Sequence, residues 1–217
     1  MQTLTEAIWK LNPPYGIFNT TVIRNLFPDI SSGAQKAIVF RATQKKEIIT
    51  LKPGLYCLNE QLRNKNPHPF VIASLLCTPS YISMESALKY HGLIPEAIYQ
   101  VISVNMHRSK TFKTPLGHYY FSKVPCQTFR AGVKCVKIND NAWVFIAEPV
   151  RAIADLIYKN KEVTWKTDQM SYIYESLRIE HDDLLKCFFT GFDDVYNSIS
   201  NQRVKEFLKG IKKELSV

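Results

Sequence analysis

The sequence predicts an α+β protein on three observations. Apolar residues repeat at helical spacing through the first 46 positions. β-Prone runs flank a Pro-Gly turn and recur between residues 98 and 146, and helical periodicity resumes at Pro149. With 217 residues the chain has room for one large or two modest domains. Its 46% hydrophobic and 22% charged residues, against 8 Gly and 11 Pro, exclude a disordered or collagen-like polymer.

Leu4, Ile8 and Leu11 mark a first helix that Asn12-Pro13-Pro14 ends. Thr20 or Thr21 can cap a second, carrying Val22, Ile23, Leu26 and Phe27 and stopped by Pro28. After Asp29-Ile30-Ser31-Ser32-Gly33, with Ser31 or Ser32 as the cap, a third helix is expected from Ala34 to about Lys46. Ile48, Ile49 and Leu51, the turn Lys52-Pro53-Gly54, then Leu55, Tyr56 and Leu58 predict a two-stranded ribbon. Helices followed by a ribbon within about sixty residues are the order of a winged helix-turn-helix, whose third helix can enter a major groove while the ribbon tip reaches the adjacent backbone.

On that third helix Ile38, Val39 and Ala42 are expected to face inward, with Phe40 projecting away from the apolar stripe. Ser32, Gln35, Lys36, Arg41, Gln44 and Lys45, together with Lys52 at the ribbon tip, are the candidate DNA contacts of residues 1–62. Arg and Lys can pair with guanine edges or phosphate, and Gln with adenine. The plainer reading of a basic helix is a solvated face.

The polar stretch from Asn59 to Pro69, with Pro67 and Pro69 near its end, reads as a linker. A second domain is expected over residues 70–160. It begins with the apolar run Phe70 to Cys77, has a short helix started near Ser83 and stopped at Gly92, and has strands at Ile98 to Val104, Gly117 to Val124, Val133 to Ile138 and Trp143 to Ile146. These predict a mixed, largely antiparallel sheet. A helix with proline in its first turn follows from Pro149. Residues 161–217 read as a helical C-terminal extension packed on the second domain. Its apolar positions, Leu184, Leu185, Phe188, Phe189, Val195, Phe207 and Ile211 among them, suit packing more than chemistry.

Charge suggests the partner. The chain carries +9, distributed as +3 over residues 1–62, +7 over 63–160 and −1 over 161–217. That balance suits a protein that meets a polyanion, although many soluble proteins are basic without binding one. Arg108, Lys110, Lys113 and Arg130, with Lys134 and Lys137, fall near turns or strand ends, where long cationic side chains reach phosphates and add affinity more than specificity. Scattered solubilising charge is the alternative for any one of them.

Three segments carry a family likeness: Lys52-Pro53-Gly54-Leu55-Tyr56, the run from Ile82 to Leu93 with Ser83, Glu85, Ser86, Ala87, Leu88, His91 and Gly92, and the run from Glu148 to Asp155. In this order they resemble the AbiEi family of bacterial antitoxins over roughly residues 5–158, the middle segment being the most specific. The resemblance implies a DNA-binding transcriptional repressor of its own operon, with a C-terminal domain that counteracts a nucleotidyltransferase-type toxin encoded nearby. His91 and Arg151 belong to the family-like segments, and a structural role is expected of both.

Tests for chemistry are mostly negative, and no catalytic residue, metal site or cofactor is expected. Cys57, Cys77, Cys126, Cys135 and Cys187 form no Cys-x-x-Cys pair, and no His-x-x-x-His or phosphate-cradling glycine motif occurs. An odd number of scattered cysteines and no recognisable signal peptide suggest free thiols and a cytoplasmic protein, and no apolar run is long enough to span a membrane. The alternative in another class is a Mg²⁺-dependent nuclease with a winged-helix targeting domain, for which Asp140 and Glu148 are the nearest acids. Val150 stands where such a site would want lysine. A wing-type module that binds a protein instead of DNA is a third possibility.

Overall fold

Thr3 and Glu6 start the first helix by capping each other. The computed structural model describes residues 3–95, 99–139 and 142–216. Thr3 Oγ1 accepts the Glu6 N–H at 3.2 Å, while Glu6 Oε2 accepts the Thr3 N–H at 2.9 Å. Helix α1 (Leu4–Leu11) then runs to Asn12, whose left-handed backbone closes it. Strand β1 (Ile17–Asn19), α2 (Thr20–Leu26), α3 (Ser32–Gln44), β2 (Ile48–Lys52) and β3 (Leu55–Leu58) follow. Asn19 caps α2 by accepting the Val22 N–H at 3.0 Å, so the cap lies one residue before the threonines expected to supply it. Ser31 caps α3, which leaves Ser32 as its first helical residue.

β3 is the middle strand of a three-stranded sheet of order β1-β3-β2, antiparallel throughout. Leu4 and Ile8 of α1, Phe18, Ile23, Ala42, Ile48 and Leu58 form one core, with Ile38 and Val39 packed against it. Every element of this region contributes apolar side chains to that single cluster. Pro53 and Gly54 make the hairpin turn, and Gly54 has φ +84°, the left-handed geometry the third position of a type II turn requires. Thr20 N–H donates to Gly54 O at 3.1 Å and ties the turn to the start of α2.

The chain divides into two compact units, Met1–Ile72 with Phe112–Gly117, and Ala73–Thr111 with His118–Val217. The polar stretch read as a linker is internally bonded. The Arg63 guanidinium donates to Asn66 Oδ1 at 2.9 and 2.7 Å and to Leu58 O at 3.1 Å. Helix α4 (Pro69–Leu76) starts at the last residue of that stretch.

The second sheet is mixed, in the order β6-β7-β5-β4-β9-β8: β4 (Ser80–Ile82), β5 (Gln100–Asn105), β6 (Lys110–Thr114), β7 (Gly117–Lys123), β8 (Val133–Asn139) and β9 (Ala142–Ala147). β4 pairs antiparallel with β5 and parallel with β9, β5 pairs parallel with β7, and β8 pairs antiparallel with β9. Helix α5 (Met84–Tyr90) follows β4, and α6 (Pro149–Lys159) follows β9. The C-terminal part supplies α7 (His181–Phe188), α8 (Phe192–Ser198) and α9 (Gln202–Glu214). Helix α6 packs on α5, α7, α8, α9 and β9, so all residues from Pro149 to Ile157 are buried, Arg151 and Asp155 among them.

The molecule is therefore α+β with a helical C-terminal part, and several details differ from expectation. Strands β1, β4 and β6 and helix α4 go beyond the predicted elements. Strands β1 and β4, three residues each, carry too little alternation to read, β6 has Phe112 as its one apolar residue, and an apolar run such as Phe70 to Cys77 has the same pattern in a buried helix as in a buried strand. Ser83 precedes α5 as expected, but its hydroxyl turns away from the helix and donates to Asp155 Oδ2 at 2.7 Å. Leu185 and Phe189, expected to pack, are 42% and 41% exposed. Ile98, the first residue of one expected strand, lies outside the described residues.

Candidate nucleic-acid interface

Helix α3 is held at both ends by side chains. At its start Ser31 Oγ accepts the Ala34 N–H at 3.2 Å, and the Gln35 amide donates to Phe27 O at 3.1 Å and Ile30 O at 3.4 Å. Gln35, expected as a base contact, is half-buried, and its donor is engaged in fixing the α2–α3 turn. At the other end Lys46 takes φ +57°, and Asn59 Nδ2 donates to its carbonyl at 2.8 Å. Ile38, Val39 and Ala42 seat one face on the core. The helix is thus fixed in rotation, which decides what its other face presents.

That face carries Ser32, Lys36, Arg41, Gln44 and Lys45, all exposed, and no acidic residue lies within α3. None of the side chains of Lys36, Arg41, Gln44 and Lys45 hydrogen-bonds or ion-pairs with a described residue. At about 100° per residue, Arg41, Gln44 and Lys45 share one side, whereas Lys36 lies about 140° round the axis from Arg41. Phe40, 64% exposed, stands between them. A helix of this composition offers cations for phosphate, an amide for a base edge and an aromatic ring for a thymine methyl.

Lys52 does not stand out at the ribbon tip. It is half-buried, pairs in register with Leu55, and lies beside a register shift between Thr50 and Lys52. The turn is tight and bonded to Thr20, because Pro53 and Gly54 are too few residues to form a long projecting loop.

The other expected cations have separate surroundings. Arg108 is exposed between β5 and β6, Lys110 half-buried at the start of β6, and Lys113 exposed further along that strand. The Arg130 guanidinium lies 3.9 Å above the Phe145 ring, a stacked arrangement that holds the charge in place. Lys134 is ion-paired with Glu148, so its charge is partly neutralised within the chain. The same pair engages one acid of the nuclease alternative. The other, Asp140, lies outside the described residues. Among the described residues no three His, Cys, Asp or Glu side chains gather as metal ligands.

His91 and Arg151 serve the fold. His91 Nε2 is 2.9 Å from Ala147 O. Arg151 Nε donates to Asp155 Oδ1 at 3.0 Å, and Tyr81 and Ser83 donate to Asp155 Oδ2 at 2.9 and 2.7 Å. Burial alone would lower the Arg151 pKa, but the neighbouring carboxylate and phenol outweigh it and the net shift is upward. Burial, reinforced by the Asp155 charge, raises the Tyr81 phenol well above its ordinary value.

Two features of the first unit were not foreseen. One is the outward ring of Phe40 as part of the presented face, although its departure from the apolar stripe was visible. The other is a cavity of about 390 Å³ beside α3, formed from residues far apart in the chain. Comparison with known proteins gives no matching family model and no matching curated protein. The likeness to AbiEi antitoxins therefore rests on the three sequence segments alone.

Proposed function

We propose that this protein is a sequence-specific DNA-binding regulator and no enzyme, its first unit acting as a winged helix-turn-helix that lays α3 in the major groove. The observation that carries this reading is the outer face of α3. Arg41, Gln44 and Lys45 stand exposed, with no side-chain hydrogen bond or ion pair to a described residue, on a helix braced from behind, with Lys36 and Phe40 alongside. Support comes also from the order α1-β1-α2-α3-β2-β3 and the sheet order β1-β3-β2, in which two helices joined by a short turn precede a hairpin. Arg41 and Lys45 would meet guanine edges or phosphate, Gln44 an adenine, and Ser32 at the first turn a phosphate oxygen. Arg108, Lys110, Lys113 and Arg130 would add phosphate contacts without reading sequence.

Operator DNA upstream of its own gene is the proposed target. Autoregulation and the antitoxin role against a nucleotidyltransferase-type toxin rest on the AbiEi resemblance, as does a cytoplasmic site of action together with the free thiols. An adjacent nucleotidyltransferase reading frame would support that part of the proposal.

The test is fluorescence anisotropy with the upstream DNA across a salt series. Affinity is expected to fall steeply with salt, and Arg41→Ala to weaken specific binding by about 1–3 kcal/mol. Arg41→Ala with Lys45→Ala that leaves binding unchanged at low salt would refute the assigned face. Plasmid cleavage in Mg²⁺ that is lost in Glu148→Ala would replace this reading with the nuclease.

A further inference from the structure

Beside the presented face of α3 the first unit contains a cavity of about 390 Å³, within the usual size range of small-molecule sites. Leu4 of α1, Leu26 and Phe27 at the end of α2, Ile30 in the turn, and Ile38 and Ala42 of α3 supply apolar walls. Arg41 and Lys45 also line it, and both are exposed. We propose that this cavity binds a small amphipathic anion, an alkyl or aromatic carboxylate, with its apolar body against Leu26, Phe27, Ile30 and Ile38 and its charged head between Arg41 and Lys45.

Charge and accessibility select that ligand class. Arg41 and Lys45 are one helical turn apart on one side of α3, so their charged ends can converge on a single anionic group. Neither forms an ion pair with a described residue. The cavity also has two acids, but they are differently placed. Glu47 Oε2 accepts from Thr5 Oγ1 at 2.5 Å, and Asp29 is exposed in the loop before α3. A neutral apolar ligand would give Arg41 and Lys45 no counter-ion, and an organic cation would gain nothing from either of them. The apolar walls add what the cations alone lack, since an inorganic anion would bury no apolar surface.

The consequence for regulation rests on the DNA-binding reading above. The two cations that would hold the ligand are the two proposed to meet DNA. An occupied cavity withdraws them from the groove, so anion and operator compete. Such a molecule would release the protein from DNA, giving the regulator a chemical signal it can sense.

The direct test does not involve DNA. Titration of the intact protein with 8-anilinonaphthalene-1-sulfonate, an apolar aromatic anion, should give saturable one-site fluorescence enhancement. Decanoate should displace the probe at least about tenfold more effectively than decanol or decylamine, the difference a single ion-pairing headgroup supplies. Arg41→Gln with Lys45→Gln should weaken probe binding about tenfold or more. Ile30→Asn, which adds polarity to the wall without a charge, should weaken it about tenfold or more while circular dichroism stays unchanged. Absence of saturable binding, binding that survives both sets of variants, or decanol competing as well as decanoate would overturn the proposal. In a separate anisotropy measurement decanoate should displace the labelled upstream DNA from the parent protein. Probe binding without any DNA binding would sink the regulator reading and leave the cavity assignment standing. DNA binding that saturating decanoate does not weaken would sink the competition.

Discussion

Arg151 Nε donates to Asp155 Oδ1 at 3.0 Å, one helical turn along α6, and each residue is 1% exposed. Tyr81 and Ser83, at β4 and the start of α5, donate to the other oxygen of the same carboxylate. One acid thus joins the central helix to the sheet and to α5. The geometry of the pair assigns it to architecture.

Removing one partner leaves the other charge buried without a counter-ion. Asp155→Ala is expected to cost about 3–5 kcal/mol in urea unfolding. Replacing both, as Arg151→Met with Asp155→Leu, should cost less than the sum of the single changes, because no unpaired charge is left behind. Additive losses would remove the pair as the source of the effect.

Gly210 provides a prediction whose sign reverses. In the middle of a helix, Ala is ordinarily favoured over Gly by about 1 kcal/mol. A Cβ at position 210 would collide with the Trp165 ring, which itself packs edge-on against Phe207 at 5.3 Å. Gly210→Ala should therefore destabilise the protein by about 1–3 kcal/mol through overpacking. In a Trp165→Ala background the same change should stabilise. Thermal unfolding of the four proteins checks both signs.

Acid sensitivity is expected at the start of α4. His68 Nδ1 accepts the Phe70 N–H at 3.2 Å, and burial holds the imidazole pKa below its usual 6.5. The folded protein thus binds fewer protons here than the unfolded chain, and the resulting stability is present above pH 6.5 and falls as pH drops toward the lower folded value. His68→Asn keeps an acceptor that does not titrate. It should flatten part of the loss of thermal stability between about pH 7 and about pH 5. Equal slopes in both proteins would clear His68 of the effect.

Gln35 and Arg41 should separate holding from reading. Gln35→Ala removes two hydrogen bonds from the α2–α3 turn and is expected to cost about 1–2 kcal/mol of stability. Arg41 is exposed and unpaired among the described residues, so Arg41→Ala should change stability by less than about 0.5 kcal/mol while weakening DNA binding. Urea unfolding beside anisotropy makes the distinction, and a stability loss in Arg41→Ala as large as that in Gln35→Ala would contradict it.

Much of the framework was legible in the residues. The apolar spacing of Leu4, Ile8 and Leu11 led to α1, the Ser31-Ser32 cap with Ile38, Val39 and Ala42 led to α3, and Pro53-Gly54 led to the hairpin turn. Pro149 at the first turn of α6 was equally readable, since its missing N–H has no helical partner there to lose. Short strands were not, and neither were side chains whose local signal has two outlets. Gln35 reads as a base-contacting amide until the turn folds back over it, and Ser83 reads as a helix cap until Asp155 arrives 72 positions along the chain.

Local pattern alone determined the succession of helices and the hairpin, the balance of charge, and the polar face of α3, because each depends on neighbours a few positions away. Tertiary structure decided the parallel pairing of β4 with β9, the burial of Arg151 against Asp155, the withdrawal of Lys52 and Lys134, and the cavity beside Arg41 and Lys45. These depend on segments distant in the chain meeting in space. Which polar groups find partners is settled only when burial has removed water as the competitor.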